Sequence, residues 1–112
     1  MRSRKFYLDS LIHLKKDLAD IRTELSSFDW DDEEEEIVLT AKAVSNVLSK
    51  AVIGDFTIEQ LEEWADIIEV RNDIVYEELH DALIKEVISH LSNPDLFGKI
   101  DNLKLQNWID KL

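Results

Sequence analysis

The sequence contains no cysteine, only two glycines and only one proline among its 112 residues. Without cysteine, a disulfide framework, a thiol nucleophile and a thiolate zinc site are excluded, and the composition is typical of a reducing compartment. So little glycine and proline leaves few turn residues for a many-stranded sheet and no glycine-rich loop for phosphate. The sequence therefore predicts an all-α protein.

Long apolar runs are also missing. No segment approaches the roughly 20 apolar residues that cross a bilayer. The basic start of the sequence is followed by Asp9 and His13 rather than by the apolar stretch of a secretory signal. We therefore expect a cytoplasmic protein without a membrane partner. With 45% hydrophobic residues, the chain can form one helical domain over residues 1–112.

Positive charge is scarce. The chain has 13 basic and 25 acidic residues, and residues 29–86 alone hold four basic and 18 acidic residues. Because nucleic-acid binding needs several cations on one face, we expect no direct nucleic-acid partner. An acidic field of this density serves either solubility or attraction to a basic partner.

Apolar spacing predicts an antiparallel bundle of four to five helices. The predicted helices cover about residues 4–26, 32–53, a segment beginning at Thr57, 74–92 and 102–112. Asp31 or Asp32 would cap the second of these helices, and Gly54 would end it. Thr57 and Gln60 form a capping-box pattern, with Phe56 and Leu61 placed as a hydrophobic staple. The sequence leaves open whether the third helix breaks at Asn72.

Catalytic motifs are not evident. No serine lies in a Gly-x-Ser-x-Gly turn, and 25 acids make carboxylate pairs uninformative. Glu77 and His80 give a single Glu-x-x-His half-site, whereas di-iron bundles use two. Arg71 and His80 would lie on opposite faces of a continuous helix and could not converge on one phosphate unless the helix breaks. We therefore expect no enzyme activity, cofactor or metal site, although a metal-dependent or phosphate-processing enzyme stays a third alternative.

Two acidic stretches carry a resemblance to a known family. One is the block from Asp31 to Glu36, preceded by Trp30, and the other is the segment 61–69 around Trp64. In these stretches and in overall character the chain resembles the bacterial immunity proteins that neutralise nuclease toxins of the colicin and contact-dependent-inhibition systems. The resemblance implies a partner-binding protein that covers the basic active-site or substrate surface of a cognate toxin.

Under this hypothesis the block from Asp31 to Glu36 lines one surface with Glu62, Asp66, Glu69 and Asp73, to which Trp30 adds an aromatic anchor. Glu62, Asp66 and Glu69 share a helix face, which Asp73 joins if the helix is unbroken. The predicted partner-binding residues are Trp30, Asp31, Asp32, Glu33, Glu34, Glu62, Asp66, Glu69 and Asp73. Two alternatives stay open: Phe28 and Trp30 close the end of the core, or the chain is a non-catalytic module that forms a homodimer through the apolar stripe of residues 4–26.

Overall fold

The computed structural model describes residues 4–14, 17–26, 36–71 and 73–112. These residues form seven α-helices, two three-residue strands and one 3₁₀ turn. In chain order the elements are α1 (Arg4–His13), α2 (Leu18–Ser26), β1 (Ile37–Leu39), α3 (Ala41–Val52), α4 (Ile58–Glu69), β2 (Ile74–Tyr76), the 3₁₀ turn (Glu78–His80), α5 (Asp81–Ser92), α6 (Pro94–Phe97) and α7 (Asn102–Lys111).

The apolar stripe of residues 4–26 lies on two helices instead of one. Leu14 has a positive φ of 50°, which ends α1. The Asp17 carboxylate accepts a hydrogen bond from the Ala19 N–H at 2.8 Å and so begins α2. The predicted continuous helix is therefore wrong. The sequence pattern did not reveal the break because the apolar residues keep their helical spacing across it. Its side chains still reach the core, since Leu11, Leu18, Ile21 and Leu25 are all buried.

Within its described part, from residue 36 on, the predicted helix over 32–53 is present only from Ala41 to Val52. Ile37–Leu39 forms β1, and the Thr40 side chain accepts from the Ala43 N–H to begin α3. Residues 31–35, where Asp31 or Asp32 was predicted to cap this helix, lie outside the described residues. At the other end, Gly54 has the positive φ of 88° that was predicted for the stop.

Helix α4 begins with the predicted capping box of Thr57 and Gln60. It ends at Glu69, so the chain does leave the helix before Asp73. The predicted helix over 74–92 is wrong in its first two turns, because Ile74–Tyr76 forms β2 and α5 begins only at Asp81.

The two strands pair in parallel, with Ile37 opposite Ile74 and Leu39 opposite Tyr76. The Glu77 carboxylate that follows β2 accepts a hydrogen bond from the Ala41 N–H at 2.9 Å, at the start of α3. The sheet therefore ties the start of α3 to the chain that leaves α4.

A single apolar cluster joins these elements. Helix α4 packs on α5, α3 packs on α7, and α1 packs on α2. Trp64 is fully buried and Trp108 is 5% exposed, so both belong to the core. The all-α prediction is confirmed in its coarse form, with seven helices where four to five were predicted; their antiparallel arrangement stays a prediction. Within the described ranges, no helix is long and apolar enough to cross a membrane.

Candidate partner-binding surface

The buried side of α4 fixes which of its acids face outward. Leu61, Trp64 and Ile68 are at most 1% exposed. The Trp64 indole Nε1–H donates a hydrogen bond to the Leu11 carbonyl oxygen at 2.9 Å, which fixes the rotation of α4 against α1. Residues three and four positions apart on a helix are neighbours, so the acids between these buried positions form a row on the opposite side.

This row is part of a surface that we call the acidic face. Its members are all acids with side chains at least partly open to solvent, and they come from α4 and from the short helix α6. They are Glu59, Glu62, Asp66, Glu69 and Asp95.

The carboxylates of the acidic face repel one another. Partial burial raises the pKa of Glu62 above its ordinary value, and the neighbouring charges of Glu59, Asp66 and Asp95 raise it further. Partial burial likewise raises the pKa of Asp66, with the charge of Glu69 as the next cause, although Arg22 acts in the opposite direction. Each shift means that the ionised form is less favourable here than in water. The surface therefore holds negative charge at a cost in free energy.

Few cations offset this charge. In the part of the chain that the structure describes, no lysine, arginine or histidine forms an ion pair with a member of the acidic face. Arg22 instead contacts Glu63 at 3.3 Å along the edge of the face, and these side chains are 59% and 42% exposed. Glu69 accepts a hydrogen bond from the neutral Ser92 hydroxyl at 2.7 Å. The acidic face is therefore available to a basic partner.

Asp73 does not join this surface, because α4 ends before it. Its side chain is 7% exposed, and Arg71 donates to it twice, from Nε and Nη2, at 2.8 Å each. Its backbone carbonyl accepts from the Ile37 N–H beside the strand pair. The expectation that Asp73 extends the face of Glu62 is therefore corrected: its carboxylate is part of the fold.

The other predicted residues divide into two groups. Glu62, Asp66 and Glu69 lie together on α4, as their spacing predicted. Four predicted residues of the acidic block and the aromatic anchor beside them lie outside the described ranges; these residues are Trp30, Asp31, Asp32, Glu33 and Glu34. Glu36, the last residue of the block, is described and exposed. Sequence reasoning missed Glu59 and Asp95. The i, i+3 spacing of Glu59 to Glu62 was a usable signal, whereas only the fold brings Asp95 close enough to raise the pKa of Glu62.

The break after α4 removes the objection that Arg71 and His80 face opposite ways, but each has its own carboxylate partner. Arg71 is bound by Asp73, and His80 Nδ1 lies 3.2 Å from a Glu77 oxygen, as an ion pair if the imidazole is protonated. The hydrogen-bond geometry at that nitrogen is poor, since it is buried without a well-aligned partner. No group of three or more potential metal ligands converges within the described ranges.

The apolar stripe that was predicted as a dimer seam packs into the core of the chain itself. Leu11, Leu18, Ile21 and Leu25 are in the core of the chain itself. Dimerisation through this stripe would expose the core, so the homodimer alternative loses the seam that it was based on.

Comparison with known proteins gives no identification. We found no match to a protein-family model, to a curated protein or to a solved structure. The functional argument therefore depends on the charge and geometry of the acidic face.

Proposed function

We propose that this chain is an immunity protein that binds and neutralises a cognate bacterial nuclease toxin. The acidic face would cover the positively charged active-site or substrate surface of the toxin. The observation that carries the proposal is the gathering of Glu62, Asp66 and Glu69 with two further acids, without a paired cation in the described ranges.

The electrostatics of the acidic face favour this role over plain solubility. Acids scattered over a surface keep a protein soluble without repelling one another, but here Glu62 and Asp66 are partly desolvated beside like charges. A lysine or arginine of a partner would relieve that repulsion on binding. Nuclease clefts are positive because they bind phosphates, so an acidic face would also speed the encounter.

The experiment uses the full chain as immobilised bait in lysate of its native host, at low and high salt. Retained proteins are identified by mass spectrometry, and a retained nuclease is purified and assayed for cleavage of tRNA and DNA. We expect one basic nuclease, held at one to one, released by salt and inhibited by one equivalent of this protein.

Two variants with the same change in net charge make the test specific. Glu62→Lys with Asp66→Lys reverses the acidic face, while Glu78→Lys with Asp110→Lys reverses two exposed acids elsewhere. The first variant should slow association by about tenfold, since steering charges act mainly on the association rate. The second should leave the association rate close to that of the wild type.

Three results would contradict the proposal. One is retention of nothing but further copies of this chain, detected as a mass that rises with concentration. Another is a retained nuclease that stays active with this protein bound. The third is equal slowing by both variants, because net charge alone and not the acidic face would then drive association.

A further inference from the structure

We infer that the cavity between α5, α6 and α7 is a binding site for a small aromatic anion. It is separate from the row of acids on α4 and does not depend on the proposed function. The cavity has a volume of about 370 Å³, which can hold a planar ring carrying one anionic group. Phe97, Trp108 and His90 contribute its aromatic wall, and Lys104 and Lys111 contribute its positive charge.

The aromatic wall is held in place by the fold. His90 Nε2 lies 3.2 Å from the Gly98 carbonyl oxygen, and because a carbonyl can only accept, this nitrogen carries the hydrogen. The His90 ring meets Trp108 edge-on at 5.2 Å between centroids and lies tilted against Phe97 at 5.4 Å. A ligand therefore meets aromatic surface that is already ordered, which lowers the entropy cost of binding.

Phe97 provides the open part of this wall. Phe97 is 54% exposed although its ring contacts the buried His90. An aromatic side chain left open at the mouth of a cavity gains from being covered by a second ring, through burial and ring contact together. The exposed ring thus favours a planar ligand over a compact inorganic ion.

The charge of the cavity is opposite to that of the whole chain, which carries a net charge of −12. Lys104 and Lys111 are two helical turns apart on α7 and so project on the same side. Among the residues that the structure describes, Glu86 is the one acid that lines the cavity with them. Lys104 Nζ lies 5.7 Å from the centroid of the Trp108 ring, and neither lysine has an ion-pair partner among the residues that the structure describes.

These features select the ligand. Two ammonium groups without carboxylate partners bind a carboxylate or a phosphate, and the adjoining aromatic wall contacts its ring. Both kinds of ligand are planar aromatic anions, and they differ in whether the anionic group is a phosphate or a carboxylate.

The test titrates the full chain with phenyl phosphate and with benzoate while nitrogen–proton correlation spectra are recorded. Inorganic phosphate and acetate are the controls without a ring, and benzyl alcohol is the control without a charge. The indole N–H of Trp108 reports on the cavity. The indole N–H of Trp64, bonded to the Leu11 carbonyl, reports on the core. We expect an aromatic anion to move the Trp108 signal, leave the Trp64 signal in place, and bind more weakly as salt is raised.

Matched variants test whether Lys104 and Lys111 provide the positive charge that binds the anion. Lys104→Gln with Lys111→Gln should weaken binding by about tenfold, since two partly exposed ionic contacts are lost. Lys85→Gln, an exposed lysine on α5 outside the cavity, should leave the affinity unchanged. Lys111→Gln alone, at an exposed position, gives a smaller loss and avoids disturbing the packing of Lys104 on Trp108.

The anionic group that binds more tightly identifies the source: preference for phenyl phosphate indicates a phosphorylated aromatic ligand, and preference for benzoate indicates an aromatic carboxylate. Three results would overturn the inference. These are an unmoved Trp108 signal with both aromatic anions, binding of inorganic phosphate or acetate as tight as that of its aromatic counterpart, and full affinity in the variant that lacks both Lys104 and Lys111.

Discussion

Replacing Asp73 by asparagine should destabilise the fold by about 3 kcal/mol. The Arg71 guanidinium donates two hydrogen bonds of 2.8 Å to the Asp73 carboxylate, and the two side chains are 10% and 7% exposed. Asparagine keeps the size of the side chain but removes the charge, and its amide can accept through one oxygen only. The Arg71 guanidinium then loses the charge of Asp73, and removing one partner of a buried ion pair costs about 3–5 kcal/mol. The slight exposure of Arg71 places the estimate at the lower end.

The measurement is urea and thermal unfolding at neutral pH, followed by far-ultraviolet circular dichroism. A loss of this size should lower the Tm by roughly 10 °C or more in a domain of this length. Asp66→Asn is the matched control, because Asp66 is exposed and its ionised form is already disfavoured. That control should change the free energy of unfolding by less than about 0.5 kcal/mol, in the stabilising direction.

A double variant separates the charge from the shape of the side chains. Arg71→Gln with Asp73→Asn removes both charges of this pair, so it should lose less stability than Asp73→Asn alone. A loss below about 1 kcal/mol in the single variant would refute the reasoning, because that is the cost of an ordinary hydrogen bond. A double variant less stable than the single one would refute it as well.

Two further predictions concern the backbone and pH. Gly98→Ala should lose about 2 kcal/mol of unfolding free energy, because Gly98 has φ 100° and ψ 167° while open space surrounds an added Cβ, so only the backbone opposes the change. Thermal unfolding beside Lys99→Ala tests this, and equal Tm values would contradict it. Glu62→Gln should raise the free energy of unfolding by a few tenths of a kcal/mol near neutral pH, because it removes one of several repelling charges. The pKa of Glu62 is raised above its ordinary value of 4.5 in the folded state. At pH values between the ordinary and the raised pKa, the folded protein therefore binds more protons than the unfolded chain, and the free energy of unfolding falls as pH rises through this range. The gain in Glu62→Gln should therefore vanish at about pH 3.5, where the carboxyl is protonated in both states, and a gain that persists there would exclude the charge as its cause.

Local chemistry was predictable where the cause lies within one turn of helix. Thr57 and Gln60 cap each other across three residues, and Gly98 takes a positive φ directly after a short helix. The row of Glu62, Asp66 and Glu69 follows from helical spacing alone once α4 is recognised. These features need no information about the rest of the fold.

Features that depend on distant parts of the chain were missed. Ile37–Leu39 and Ile74–Tyr76 each begin with two β-branched residues but are too short to distinguish from helix by periodicity, and only their pairing makes them strands. The apolar stripe through Leu14 predicts one helix because core positions can keep their spacing across a break. Asp73 was placed on the surface because its spacing fits a helix that in fact ends at Glu69.

The parallel pairing of β1 and β2 has a consequence for the order of folding. The pairing closes a loop that contains α3 and α4, and the backbone bonds from Ile37 to Asp73 and from Glu77 to Leu39 complete the closure. Bringing together the ends of a loop of this length costs about 3 kcal/mol of chain entropy. Two three-residue strands cannot offset that cost alone, so we expect them to join only after both helices have packed on the core. The strands would then act as a latch, last to close when the protein folds and first to open when it unfolds.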